Sequence, residues 1–247
     1  KDIDSPVGKP LGVTTNRLDI NNDGRTVNTS VFLNSTGNLG LGNIVLKSGE
    51  DLHVTAPGDI YQVGVVGTST NTLTNDRGSI SLNAGGGVIN TSANNKGKFV
   101  TDDLIIIAKN GVGALDSAIN INAENLSVFC GNSINRVSDQ TKDMNIVKQE
   151  NVIGVSGDGD ITVDTVGNLV VKEKIEDLSA QNTIRLNSAN GSIIDGNLAE
   201  LNVIGNQLIA TAKNSIDLNT KINILDSTTL ATGQGNIVIN EIDSLDI

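Results

Sequence analysis

A short phrase recurs along this chain: an aliphatic strand with every second residue apolar, a turn of Ala, Ser, Asn or Gly, then a new strand opening on Ile, Leu or Val. It reads Ile80-Ser-Leu-Asn-Ala-Gly-Gly-Gly-Val88, Leu104-Ile-Ile-Ile-Ala-Lys-Asn-Gly-Val112 and Leu126-Ser-Val-Phe-Cys-Gly-Asn-Ser-Ile134. It returns from Ile161 to Leu169, from Ile184 to Ile193 and from Leu208 to Ile216. Successive phrases start at a spacing in the low twenties, with one longer interval between Leu126 and Ile161. A near-constant period of that size, made of short strands, is the pattern of a solenoid. One repeat is too small to bury its own apolar face, so neighbouring repeats must stack.

The alternation has a period of two, which excludes helical repeats with their 3.6-residue spacing. The fold expected is all-β: a right-handed parallel β-helix (solenoid) with three short strands per coil of about 22–24 residues. Each strand pairs in parallel with its counterpart one coil away, at about 4.8 Å. Inward positions expected from the alternation include Leu104, Ile106, Val112, Ile184, Leu186, Ile193, Leu201, Val203, Leu208, Ile216 and Ile224. Asn110, Asn132, Asn190 and Asn214 fall at the same place in the phrase, which predicts a ladder of stacked Asn side chains along one corner.

Residues 1–38 carry little of the repeat and read as an irregular segment or linker, with the β-helix running over 39–247. The long interval from Leu126 to Ile161 holds roughly half a coil more than the others, which places an inserted polar loop at 135–150. Its Arg136, Asp139, Lys142 and Asp143 mix both charge signs and are the candidate partner-binding residues, because loops on a rigid scaffold commonly carry recognition. The strand-like Ile237-Val-Ile239 and Leu245-Asp-Ile247 end the chain without a polar cap. That suggests a natural chain that continues, or end-to-end self-association.

Composition narrows the partners. A net charge of −11 disfavours nucleic acid, whose phosphates reward clusters of Lys and Arg. The single cysteine, Cys130, rules out an internal disulfide framework and follows Leu126 and Val128 by alternation, so it is expected in the core. Aromatic residues make up only 2% of the chain, which leaves little stacking surface for sugars.

Two chemistries can be tested against the residues. Asp19-Ile-Asn21-Asn-Asp23-Gly24 matches the opening of a calcium loop, with oxygen ligands from Asp19, Asn21, Asp23 and the Arg25 carbonyl. The twelfth position is Ser30, not the bidentate Glu of an EF-hand, a departure that weakens the site. Calcium is the candidate cofactor. Parallel β-helices also host enzymes that cleave acidic polysaccharides, which need clustered carboxylates and a base. Here the adjacent pair Asp102-Asp103 lies far along the chain from the sole histidine, His53, so catalysis is not expected.

Gly78-Ser-Ile-Ser-Leu-Asn-Ala-Gly-Gly-Gly-Val-Ile89, Gly159-Asp-Ile-Thr-Val163 and Asn182-Thr-Ile-Arg-Leu-Asn-Ser-Ala-Asn-Gly-Ser-Ile-Ile194 resemble the coils of filamentous haemagglutinin-like proteins. The resemblance covers about 43–247 and is one of repeat grammar. It implies a secreted rod on the surface of a Gram-negative bacterium, exported by two-partner secretion through an outer-membrane β-barrel transporter. The implied function is adhesion, with a receptor or glycan on a host or neighbouring cell as partner. The family's secretion motifs are not found in 1–38, so the chain would be a stalk segment. Two other readings remain open: a polysaccharide lyase or hydrolase on a β-helix, and a self-assembling filament or surface-layer subunit.

Overall fold

The structure, a computed structural model, describes residues 10–21, 30–47, 49–68, 78–139, 141–198, 200–230 and 235–245. Its strands stack into two parallel sheets of 14 and 13 strands, forming a β-solenoid of about nine turns. Among the described residues the helix content is a single 3-10 turn at Ala93–Asn95. Antiparallel pairing among them is confined to a hairpin of Lys148–Gln149 with Val152–Ile153 and an isolated Ala114–Ser117 bridge.

Three strands per coil is the rule in most of the rod. The coil at Asp103 has Asp103–Ala108 in the first sheet, then Gly111–Val112 and Ile119–Asn122 in the second. The next coil has only two strands, because Ile134–Asp139 pairs with both of those short strands at once, through a bulge between Ile134 and Val137. Past this point the division reverses. Met144–Ile146 and Val155–Gly157 both pair with Asn125–Cys130 in the first sheet, and Ile161–Thr165 is a single strand in the second.

This reversal corrects the reading of the long interval. The phrases beginning at Ile80, Leu104 and Leu126 lie in the first sheet, and those beginning at Ile161, Ile184 and Leu208 lie in the second. Leu126 stacks on Ile146, and Ile161 stacks on Ile134, so Leu126 and Ile161 are not counterparts one coil apart. The same phrase serves both sheets because both present alternating inward residues to one core and leave through tight turns.

The expected loop at 135–150 is therefore not a loop. Ile134–Asp139 and Met144–Ile146 are rungs of the ladder, with Met144 and Ile146 in the core. Only Val147–Gly154 leaves the ladder, as the hairpin. Its cost in register is visible directly: Leu126 pairs with Ile146, whereas Val128 on the same strand pairs with Val155, beyond the hairpin. The expected irregular segment over 1–38 is also corrected within the described residues. Leu11–Val13 stacks on Val31–Ser35, and Arg17–Asn21 on Leu39–Leu46, as ordinary rungs.

One apolar cluster runs from Val13 to Ile222 through the middle of the rod. The inward expectations hold for Leu104, Ile106, Val112, Ile184, Leu186, Ile193, Val203, Leu208 and Ile216, all buried. Two fail. Leu201 is half-buried because Asn202 turns inward instead, donating to the Val171 carbonyl at 3.0 Å and accepting the Asn219 N–H at 2.7 Å. Ile224 pairs with Gln207 on the outward register and is exposed. Buried amides recur at such corners. Gln62 exchanges two bonds with the Asn120 backbone, at 2.9 and 3.1 Å, and Asn90 donates to the Ala118 carbonyl at 2.7 Å. Each satisfies backbone groups that a corner leaves unpaired by the sheets.

Candidate functional site

Many Asp and Asn among the described residues lie in the turns or on the strands beside them, and the structure gives these side chains a common task. Asp19 accepts the backbone N–H of Asn43, Asn43 that of Val65, Asp51 that of Ser79, and Asp59 that of Gly87. Farther along, Asp143 accepts from Asn168, Asn168 from Ser192, Asp160 from Thr183 and Asn202 from Asn219. In every case the acceptor sits one coil below its donor. A short side-chain oxygen reaches across the ~4.8 Å rung spacing to a backbone N–H of the next rung, in a turn at Asn168 and Ser192 and on a strand at the other six. This stitching, not a stack of the Asn110, Asn132, Asn190 and Asn214 amides, is the ladder that runs along the corners. Those four cannot form one column, since two follow first-sheet strands and two follow second-sheet strands. Amide-to-amide bonding does occur elsewhere: Asn145 donates to Asn125 at 3.1 Å, and Asn125 in turn donates to the Asp103 carboxylate at 2.8 Å.

The candidate calcium residues divide. Asp19 and Asn21 lie on the Arg17–Asn21 strand, both facing outward, and Asp23 and Arg25 lie outside the described residues. The Asp19 carboxylate is held by the Arg17 guanidinium at 2.9 and 3.0 Å and by the Asn43 N–H at 2.7 Å. The Arg17 hydrogen bond is the main cause that lowers its pKa to about 2. Among the described residues, no group of three or more His, Cys, Asp or Glu side chains is placed to hold a metal ion.

The four candidate binding residues are structural parts of the ladder. Arg136 sits in the bulge of Ile134–Asp139, pairs with Asp164 and also reaches the Leu115 carbonyl at 3.4 Å. Asp139 is buried; it accepts from Thr141 N and Oγ1 at 2.8 and 2.9 Å and from Ala123 N at 3.1 Å. Lys142 gives its carbonyl to Thr165 Oγ1 at 2.8 Å, and Asp143 holds Asn168 through both oxygens at 2.7 and 3.0 Å. Arg136 and Asp139 thus belong to a strand, and Lys142 and Asp143 to the turn after it, where Asp143 is exposed.

The groups considered for catalysis do not converge. His53 faces outward and stacks on Phe32 of the rung below, centroids 4.6 Å apart and rings 5° from parallel. Asp103 lies two rungs above His53, roughly 10 Å along the axis at that spacing, and its carboxylate is engaged by Asn125 and Gln149. Cys130 is buried in the core, as the alternation predicted, and burial pushes its thiol pKa up.

The protruding elements lie elsewhere, and sequence reasoning missed them. The hairpin Val147–Gly154 folds back over the outer face of the first sheet. Ser127 Oγ donates to the Val147 carbonyl at 2.6 Å, and Gln149 Nε2 reaches Asp103 at 2.8 Å. Gly154 returns the chain to the ladder at φ +62, where a Cβ would meet the Lys174 carbonyl, so only Gly fits. The hairpin's signal was the two-residue turn Glu150-Asn151 between short strands, weak because Glu, not Gly or Asn, takes the positive φ of 50°. Two rungs on, the ladder breaks at the corresponding place between Asp195 and Val203, and Leu198 there is 88% exposed. In the first half of the rod the excursions lie in the second sheet instead, at 91–97 and 113–118.

Comparison with protein-family models, with curated proteins and with solved structures gives no match. What this chain is rests on its own geometry: a parallel β-solenoid with its corners stitched coil to coil.

Proposed function

We propose that the chain is a non-catalytic segment of an extracellular β-helical rod, part of a large secreted bacterial adhesin that projects or mediates cell attachment. The observation that carries this reading is the coil-to-coil stitching by Asp19, Asn43, Asp59, Asp143, Asn168 and Asn202. Each coil is bonded to its neighbours by strand ladders and again by side chains at the corners. Such a column gains stiffness along its axis without any disulfide. A second support is that the candidate acid and base groups, His53 and Asp103, are each occupied by other partners.

On this reading the repeat phrase places the chain near filamentous haemagglutinin-like exoproteins, exported through an outer-membrane β-barrel transporter to the surface of a Gram-negative bacterium. The partner is a receptor or glycan on a host or neighbouring cell. Beads coated with the purified chain are expected to attach to cultured epithelial cells or to other bacteria above albumin-coated beads. Attachment equal to the albumin control removes a direct adhesive role. Release of new sugar ends from an acidic polysaccharide would replace the proposal with the polysaccharide-cleaving reading.

A further inference from the structure

The sequence contains one tyrosine and no tryptophan, and that tyrosine lies in a trough on the outer side of the second sheet. The trough has a volume of about 470 Å³ and is lined by Asn16, Asn38, Tyr61, Val63 and Thr91. These residues come from four successive coils, so the trough runs along the rod axis for roughly 14 Å at ~4.8 Å per rung. Ligand sites of this size are usual for small molecules.

The ring of Tyr61 is held in place. Its hydroxyl donates to Asp59 at 3.0 Å and accepts from Asn38 Nδ2 at 3.1 Å. Asn38 is itself fixed, because its Oδ1 accepts the Asp59 N–H at 2.9 Å. On the rung below, the residue paired with Tyr61 is Gly40. A Cβ at Gly40 would stand 3.1 Å from Val63 Cγ2 and 2.6 Å from the Asn16 carbonyl, both on the trough wall. Asn16 and Thr91 are exposed along the same wall and offer an amide and a hydroxyl. A preset aromatic face, an apolar floor and short neutral hydrogen-bonding groups match a sugar ring, which has apolar C–H faces and a rim of hydroxyls.

We propose that this trough binds a neutral oligosaccharide, with the Tyr61 ring as the stacking surface and Asn16 and Thr91 as hydrogen-bonding groups. This deepens the adhesive reading above and rests on it for biological meaning. The charge pattern selects against acidic sugars. The Asp59 carboxylate stands behind the Tyr61 hydroxyl, the nearby Arg17 is neutralised by Asp19, and the chain carries −11. The sparse aromatic content that argued against a sugar platform is thus offset by the placement of the one tyrosine.

The test uses the whole chain with lactose, maltotriose, cellotriose and triacetylchitotriose as neutral probes, and sialyllactose and a heparin disaccharide as acidic ones. Tyrosine fluorescence and the Tyr61 ring proton signals report occupancy without ambiguity, since no other tyrosine or tryptophan is present. At least one neutral probe is expected to shift them saturably, with Kd on the order of 1 mM. Saturation-transfer NMR on the sugar should show binding lost in Tyr61→Ala and weakened several-fold in Thr91→Val, each variant first shown by circular dichroism to be folded. No saturable shift with any neutral probe overturns the proposal, as does tighter binding of the acidic probes or full binding by Tyr61→Ala. Sugar binding without bead attachment upholds the trough and removes the adhesive role. Bead attachment that survives Tyr61→Ala, with no sugar bound, overturns the trough and leaves the adhesive role standing.

Discussion

Ile105 and Ser127 face each other across the Asp103–Ala108 and Asn125–Cys130 strands on the outer side of the first sheet, and both are buried. Strict alternation assigns that column to solvent; one rung below Ile105 it holds Ser81, only half-buried. The cover is the hairpin Val147–Gly154, anchored by the Ser127–Val147 and Gln149–Asp103 hydrogen bonds. It gives the rod a small second core on its flank, to which the hairpin contributes its own buried Val152.

Replacing Val147–Gly154 by a short turn like Lys172–Lys174, which joins the same two places one rung on, should leave the coils stacked. It should expose Ile105 and destabilise the chain by about 1–3 kcal/mol, read as a lower thermal midpoint. Adding Ile105→Ser to that variant should recover part of the loss. In the intact chain the same Ile105→Ser change should destabilise. Equal effects of Ile105→Ser in both backgrounds would mean that the hairpin does not cover it.

Limited tryptic cleavage separates the ladder from the hairpin. Of Arg136, Lys142 and Lys148, only Lys148 is exposed and lies outside the stacked rungs. Cleavage after Lys148 should precede cleavage at the other two. A first cut after Arg136 would contradict the strand placed at Ile134–Asp139.

Ile193 is fully buried between Leu169 and Ile216 of the adjacent rungs. Ile193→Asp places a carboxylate in an apolar column with no partner. It should cost more than about 3 kcal/mol, or prevent folding. The outward neighbour offers the control: Ile194→Asp on the same strand is half-exposed and should change stability by less than about 1 kcal/mol. Similar melting temperatures for the two variants would show that the assigned register is wrong.

Asp177 is buried at a turn and accepts five hydrogen bonds: from Ser179 N and Oγ, Gln181 N, and Asn182 N and Nδ2. Burial alone raises its pKa, but the hydrogen bonds together outweigh it and hold the carboxyl below its ordinary value. Asp195 behaves alike: burial raises its pKa, and bonds from Asn197, Asn202, Leu198 and Asn219 outweigh that. A folded-state pKa lower than the unfolded one contributes stability above the unfolded value, near 3.9, and loses it as pH falls through the folded value. Stability should therefore decline below about pH 4. Asp177→Asn should be less stable at neutral pH by about 1–3 kcal/mol and should show a shallower acid decline. An unchanged acid profile would remove Asp177 from that role.

Cys130 faces the core opposite Ala108, and burial raises its pKa. The native chain should resist iodoacetamide at neutral pH and react with it in denaturant, because only the exposed thiolate is nucleophilic. Rapid labelling of the folded chain would place the thiol outside the core.

The repeat phrase by itself determined the fold class and most of the core. Alternating Ile, Leu and Val at a period in the low twenties can bury one face only by stacking, so Leu104, Ile184 and Ile216 had to point inward whichever sheet they joined. The same economy hid the sheet assignment. A strand-turn-strand phrase reads alike in either sheet, so the switch between Leu126 and Ile161 looked like an insertion until the pairings of Leu126 with Ile146 and Ile134 with Ile161 were fixed. The roles of polar residues were hidden for a related reason. Asp143 and Asn168 act on the backbone N–H groups of Asn168 and Ser192, each a full coil ahead, a distance set by stacking and not by local sequence. The trough is the extreme case. Asn16, Asn38, Tyr61 and Thr91 lie far apart along the chain and become neighbours only because four coils bring one corner of each to a common line. Period and alternation are local properties of a chain, whereas a surface built from one residue per coil exists only after the coils have stacked.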